Sequence, residues 1–120
     1  MSNENSTISV VVYAIARLAK AGGKDIFGIP GDFAFPWGDA VADKRDVNWL
    51  GASNELNASY AADGYARAHG VGAICTTYAV GELSAVCGMM GAKAEKVPVI
   101  HLVGMPSMRM QKQPHKILHH

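Results

Sequence analysis

Two carboxylates, a threonine pair and a histidine pair stand at the places in this chain where chemistry could be done. Glu55 follows Ser53-Asn54 and opens a proline-free run to Gly70. Asp32 follows Pro30-Gly31 at the end of a short apolar run. Thr76 and Thr77 end another apolar run, a few residues before Gly81. His119 and His120 are the last two residues. A carboxylate held at a turn can share or move a proton. One in a first helical turn can instead simply complement the helix dipole and its free N–H groups. Both readings apply to Glu55. The capping-box spacing does not, because Leu56 lies three residues after Ser53.

Other chemistries find less support. A dinucleotide site needs a glycine-rich phosphate loop, and Gly28-Ile29-Pro30-Gly31-Asp32 puts a proline and an acid in its place. No Walker A sequence occurs. His69 ends the helical run, where it complements the dipole. His101 lies within an apolar run and reads as a hydrogen-bonded core histidine. His115 and His119 are four apart, but no carboxylate or cysteine nearby completes a metal set, so no metal site is expected.

These residues need elements to position them. Ser6 or Thr7 can cap a first helix in which Ile8, Val11, Val12, Ile15 and Leu18 recur at helical spacing, and Gly22-Gly23 stop it. The runs 24–29, 47–52, 71–77 and 98–104 read as buried strands. Between them lie helix candidates at 34–43, 54–69 and 82–96. The last two are rich in small residues, Gly64 and Gly88 among them, which would let another backbone come close. Strand and helix alternate, which predicts an α/β fold with a parallel sheet, right-handed crossovers and helices on both faces. The βα turns then share one edge, so Asp32, Glu55 and Thr76 or Thr77 project toward it.

Composition sets the outer bounds. The chain has 120 residues, a net charge of +1 and no cluster of Lys or Arg, which argues against nucleic acid as a partner. No apolar stretch approaches the ~20 residues that span a bilayer, so no membrane partner is expected. The N-terminus carries Glu4 and no basic residue before its apolar run, unlike a signal or transit peptide. Cys75 and Cys87 lie in apolar segments without a CxxC pattern and read as buried free thiols. A cytoplasmic chain is expected.

The motifs FGIPGDF (27–33), NELNASYAADGYAR (54–67), TTYAVGELSA (76–85), AEKVPVIHLVGMPS (94–107) and the closing LHH (118–120) resemble the N-terminal domain of thiamin-diphosphate-dependent 2-oxoacid decarboxylases. The likeness is greatest to pyruvate decarboxylases, with indolepyruvate decarboxylases near them. It implies a three-layer αβα sandwich, with residues 1–120 forming a partial thiamin-diphosphate-binding domain that recognises the aminopyrimidine. It implies that Glu55 hydrogen-bonds N1′ of the cofactor and promotes loss of the thiazolium C2 proton. Thr77 and Gly81 would lie at the cofactor. Asp32 and the His119-His120 pair would steer protons near the substrate.

The resemblance also implies a carboxy-lyase that turns a 2-oxoacid such as pyruvate into an aldehyde and CO₂. An aromatic 2-oxoacid is the alternative substrate, and a non-catalytic module pairing with a full-length subunit is the alternative role. Mg²⁺ would be held by a second domain with a Gly-Asp-Gly to Asn segment, which nothing here matches, and the full-length enzyme would be a dimer or dimer of dimers. Two departures stand out. Ala79 sits where relatives usually have glycine, so a positive φ there would be strained. The resemblance stops directly after the histidine pair, which would leave the fourth strand with an open edge.

Overall fold

The structure, a computed structural model, describes residues 7–43 and 46–113. Four short apolar runs form its strands: β1 (Asp25–Gly28), β2 (Asn48–Gly51), β3 (Gly72–Thr77) and β4 (Val99–Gly104). They make one sheet in the order β2-β1-β3-β4, parallel throughout. β3 is central and buried at every position, which is why its sequence shows no polar alternation. β2 and β4 are the edges.

The pleat of β3 separates two cores. Ala73 and Cys75 face one side, with Ile26 of β1. This side is covered by α1 (Val10–Lys20), through Ile15 and Leu18, and by α2 (Phe35–Asp43), through Ala40 and Val41. Ile74 faces the other side with Phe27, beneath Ala58 and Ala62 of α3 (Glu55–His69) and the buried Ala85. The result is the expected α/β architecture, a sheet between two helical layers.

The helix starts follow local chemistry. α1 is capped by Ser9, whose hydroxyl accepts from the Val12 amide at 3.2 Å, and not by Thr7; Ser6, the other expected cap, lies outside the described residues. A single 3₁₀ turn at Asp32–Ala34 precedes α2, leaving Pro36 in the first turn of α2, where a missing N–H costs nothing. Asn54 caps α3 by accepting from the Asn57 amide at 2.9 Å, and Gly70, at φ 94°, ends it.

The predicted helix at 82–96 is two helices. α4 (Val80–Ser84) and α5 (Val86–Ala94) join at buried Ala85, whose ψ of −12° turns the chain. The break lets α4 stay over the end of β3 while α5 lies along α3 and β4. A short α6 (Met108–Gln111) follows β4.

Two small-residue expectations need correction. Close approach occurs at Gly88, where an added β-carbon would overlap the Ser59 side chain, and at Gly72, where it would overlap the Ala62 carbonyl. Gly64 instead faces open space. Cys75 is buried but Cys87 is exposed, because Gly88 and Ala92, one turn apart, take the inward face of α5. Arg67, near the end of α3, pairs with Asp63 at 2.7 Å and with Glu95, just beyond α5, at 2.6 Å. Among the described residues no helix is long and apolar enough to cross a membrane.

Candidate functional site at the carboxyl edge of the sheet

Because all four strands run the same way, all four βα turns meet at one edge. Thr77, the last residue of β3, is their centre. From the β1 side, Gly31 lies against it: a β-carbon built on Gly31 would stand 2.9 Å from Thr77 Cβ. From the β4 side, the Tyr78 amide donates to the Gly104 carbonyl at 2.9 Å. The Phe33 carbonyl crowds Gly104, and the Phe33 and Tyr78 rings meet edge to face at 5.3 Å. No signal in the sequence marked Phe33 and Tyr78 as the clasp between these turns.

Glu55 arrives from β2. Its position as the first residue of α3 is set by the Asn54 cap. Its Oε1 lies 3.1 Å from the point where a β-carbon on Gly81 would stand, and Thr77 Cγ2 lies 3.1 Å from the same point. Gly81 is buried in the first turn of α4. Its lack of a side chain lets the carboxylate come down beside the end of β3. Glu55, Thr77 and Gly81 are therefore one cluster, built from two different βα turns.

Asp32 sits at the same edge, exposed in the 3₁₀ turn between Gly31 and Phe33. His119 and His120 lie outside the described residues. Thr77 Oγ1 is buried and has no hydrogen-bond partner among the described residues. A buried hydroxyl without a partner costs about 1–3 kcal/mol, so this one has capacity for a ligand. A carboxylate that can share a proton and an unpaired hydroxyl, at the open end of a parallel sheet, can together take a flat polar ligand with ring nitrogens. Burial pushes the Cys75 thiol up to about 12, which disfavours its thiolate.

The turn carrying Gly81 is strained. Ala79 has φ 54° and ψ −96°, a conformation that suits glycine. The strain that the sequence made conditional on a positive φ is thus present, with alanine bearing it. Its carbonyl accepts from the Leu83 amide at 2.7 Å, and Tyr78 before it is tied to β4.

His101 has the hydrogen bond expected of it. Its Nε2 lies 2.9 Å from Oγ1 of the fully buried Thr76. Burial holds the imidazole below its ordinary pKa, partly opposed by the Glu82 carboxylate.

The chain matches the family model for the thiamine pyrophosphate enzyme N-terminal TPP-binding domain over residues 8–120. It is 46% identical over 112 residues to an alpha-keto-acid decarboxylase from Mycobacterium leprae, covering 93% of this chain and 20% of the relative. It is 45% identical over 117 residues to a pyruvate decarboxylase from Aspergillus parasiticus, covering 98% and 20%. A pyruvate decarboxylase from Hanseniaspora uvarum is 46% identical over 115 residues, covering 96% and 20%. The chain thus spans about one-fifth the length of these relatives. With a four-stranded parallel sheet between helical layers and a family match over nearly its whole length, the chain belongs to the thiamine pyrophosphate enzymes, through their N-terminal TPP-binding domain.

Proposed function

We propose that this chain supplies the aminopyrimidine-recognising part of a thiamin-diphosphate-dependent decarboxylase that converts a 2-oxoacid, pyruvate foremost, into an aldehyde and CO₂. The carrying observation is the packing of the Glu55 carboxylate against Gly81, beside the buried hydroxyl of Thr77, which has no partner among the described residues. These residues fit an aminopyrimidine. Glu55 would share a proton with ring nitrogen N1′, and Thr77 would offer its hydroxyl to the same ring. When bound, the cofactor supplies the nucleophilic carbon and the electron sink that decarboxylation requires.

The residues of this chain hold, orient and move protons. Glu55, half-buried and fixed in its backbone at the start of α3, is suited to holding a proton at one ring position. Gly81 keeps that carboxylate close to the end of β3. Asp32 stands at the exposed side of the same edge, where it and the His119-His120 pair would handle protons near the substrate. Residues 1–120 would form part of the N-terminal domain, with Mg²⁺ and the diphosphate held by a second domain. The names of the relatives support a 2-oxoacid substrate. Exposed Leu56, Tyr60, Val80, Leu83 and Met90 on the α3–α5 layer support burial against further protein, in keeping with a homo-oligomer. A cytoplasmic location belongs to the same proposal.

The test is Glu55→Gln in the full-length enzyme, with C2-proton exchange on added thiamin diphosphate followed by NMR. Exchange slowed by 10² or more is expected, the scale of a lost acid–base group. Exchange at the parent rate would remove Glu55 from this role.

A further inference from the structure

We propose that Gly104 and Phe33 are positioning residues for Asp32, holding the turn that carries this carboxylate in place at the sheet edge. The inference rests on the reading of Asp32 as a proton-handling group given above.

The turn is seated at both ends. Its closing hydrogen bond runs from the Ala34 amide to the Gly31 carbonyl at 2.7 Å, with Asp32 and Phe33 between. At one end, a β-carbon on Gly31 would stand 2.9 Å from Thr77 Cβ and 3.3 Å from Thr77 Cγ2. At the other end, the peptide joining Phe33 to Ala34 lies on Gly104. A β-carbon there would overlap the Phe33 carbonyl and stand 2.7 Å from the Ala34 nitrogen. That nitrogen is the donor that closes the turn. Whatever pushes this peptide off Gly104 therefore moves the backbone bond on which the place of Asp32 depends.

The two seats are themselves one unit. Thr77 and Gly104 are partners in the register of β3 and β4, and the Tyr78 amide donates to the Gly104 carbonyl at 2.9 Å. Gly31 is extended, at φ −115°, and Gly104 has no positive φ, so these positions demand room and not an unusual backbone. A third hold comes from the rings. Phe33 meets Tyr78 edge to face at 5.3 Å, tying the residue after Asp32 to the residue after Thr77. Thr77 also supplies the methyl that packs at Gly81 beside Glu55 Oε1. Asp32 and Glu55, from different turns, are thus both placed by reference to the end of β3.

The experiment uses the full-length enzyme and two variants, Gly104→Ala and Phe33→Leu. Without cofactor, the Ala34 amide should exchange with deuterium at least about tenfold faster in each, with the β3 amides as protected as in the parent. Parent exchange at Ala34 in both overturns the proposal. With thiamin diphosphate and pyruvate, kcat should fall at least about tenfold in Gly104→Ala, while C2-proton exchange, which reads Glu55, stays within about threefold of the parent. A fall of both together overturns the proposal, because the damage is then not particular to Asp32. In an Asp32→Asn background neither variant should lower kcat further; additive losses overturn it. Should Gly104→Ala fail to fold, Phe33→Leu, which adds no atom against the backbone, decides on the same measures. Asp32→Asn with parent kcat would remove the reading of Asp32 and this role with it. Asp32→Asn impaired, with both other variants at parent kcat, would overturn the positioning role alone.

Discussion

Glu55 and Gly81 come from different βα turns, yet Glu55 Oε1 lies 3.1 Å from where a β-carbon on Gly81 would stand. The contact depends on Gly81 having no side chain. It joins the first turn of α3 to the first turn of α4 beside the end of β3, and it makes the two residues separable by experiment.

Gly81→Ala should separate folding from function. The added methyl meets Glu55 Oε1 and Thr77 Cγ2, both at 3.1 Å, a distance at which a neighbour must yield. The flexible carboxylate yields first. Alanine in a helix gains up to about 1 kcal/mol over glycine, which offsets the crowding. Urea unfolding should shift by under about 1 kcal/mol, while thiamin diphosphate affinity of the full-length enzyme, read by calorimetry, falls at least tenfold.

Glu55→Gln should leave the fold nearly intact. Losing a first-turn charge costs at most about 1 kcal/mol. Turnover in the full-length enzyme should fall by about 10² or more. A stability loss with turnover retained would assign Glu55 to the helix dipole alone.

Ala79→Gly should stabilise the chain. Alanine at φ 54° and ψ −96° carries about 1–3 kcal/mol of strain, while glycine loses about 0.5–1 kcal/mol through unfolded-state entropy. A net gain of about 1 kcal/mol is expected in denaturant unfolding.

Gly88→Ala should destabilise. Its β-carbon would overlap Ser59, whose hydroxyl is already committed to the Leu56 carbonyl at 2.7 Å. The helices α3 and α5 must separate to admit it, at about 1–3 kcal/mol in thermal or urea unfolding. Gly64→Ala is the control: it faces open space and should stabilise the helix by about 1 kcal/mol.

Stability should also depend on pH through His101. Its pKa in the fold is held below the ordinary 6.5, so on acidification the unfolded chain binds the proton first. This contribution is fully present above 6.5 and is lost as pH falls from there through the lower folded value. Unfolding midpoints at pH 7.5 and pH 5 should differ more for the parent than for His101→Gln.

The sequence by itself determined the strands, the parallel sheet and the edge at which the site lies. Apolar runs between glycine and proline mark β1 to β4, and alternation with helices leaves a parallel sheet as the way to bury them. Asn54, Glu55 and Gly70 set the limits of α3 through capping chemistry, which is local. What followed from contacts distant in sequence was decided only in three dimensions. The split at Ala85 arises because the end of β3 and the flank of α3 claim consecutive turns of one helical stretch. Gly64 and Gly88 look alike in sequence, but only Gly88 faces another backbone. The Thr76–His101 bond joins residues 25 apart, and its partner strand could be named only from strand order and register. Helix periods and caps act over three or four residues, whereas the meeting of Glu55, Thr77 and Gly81 depends on how the layers close over the sheet.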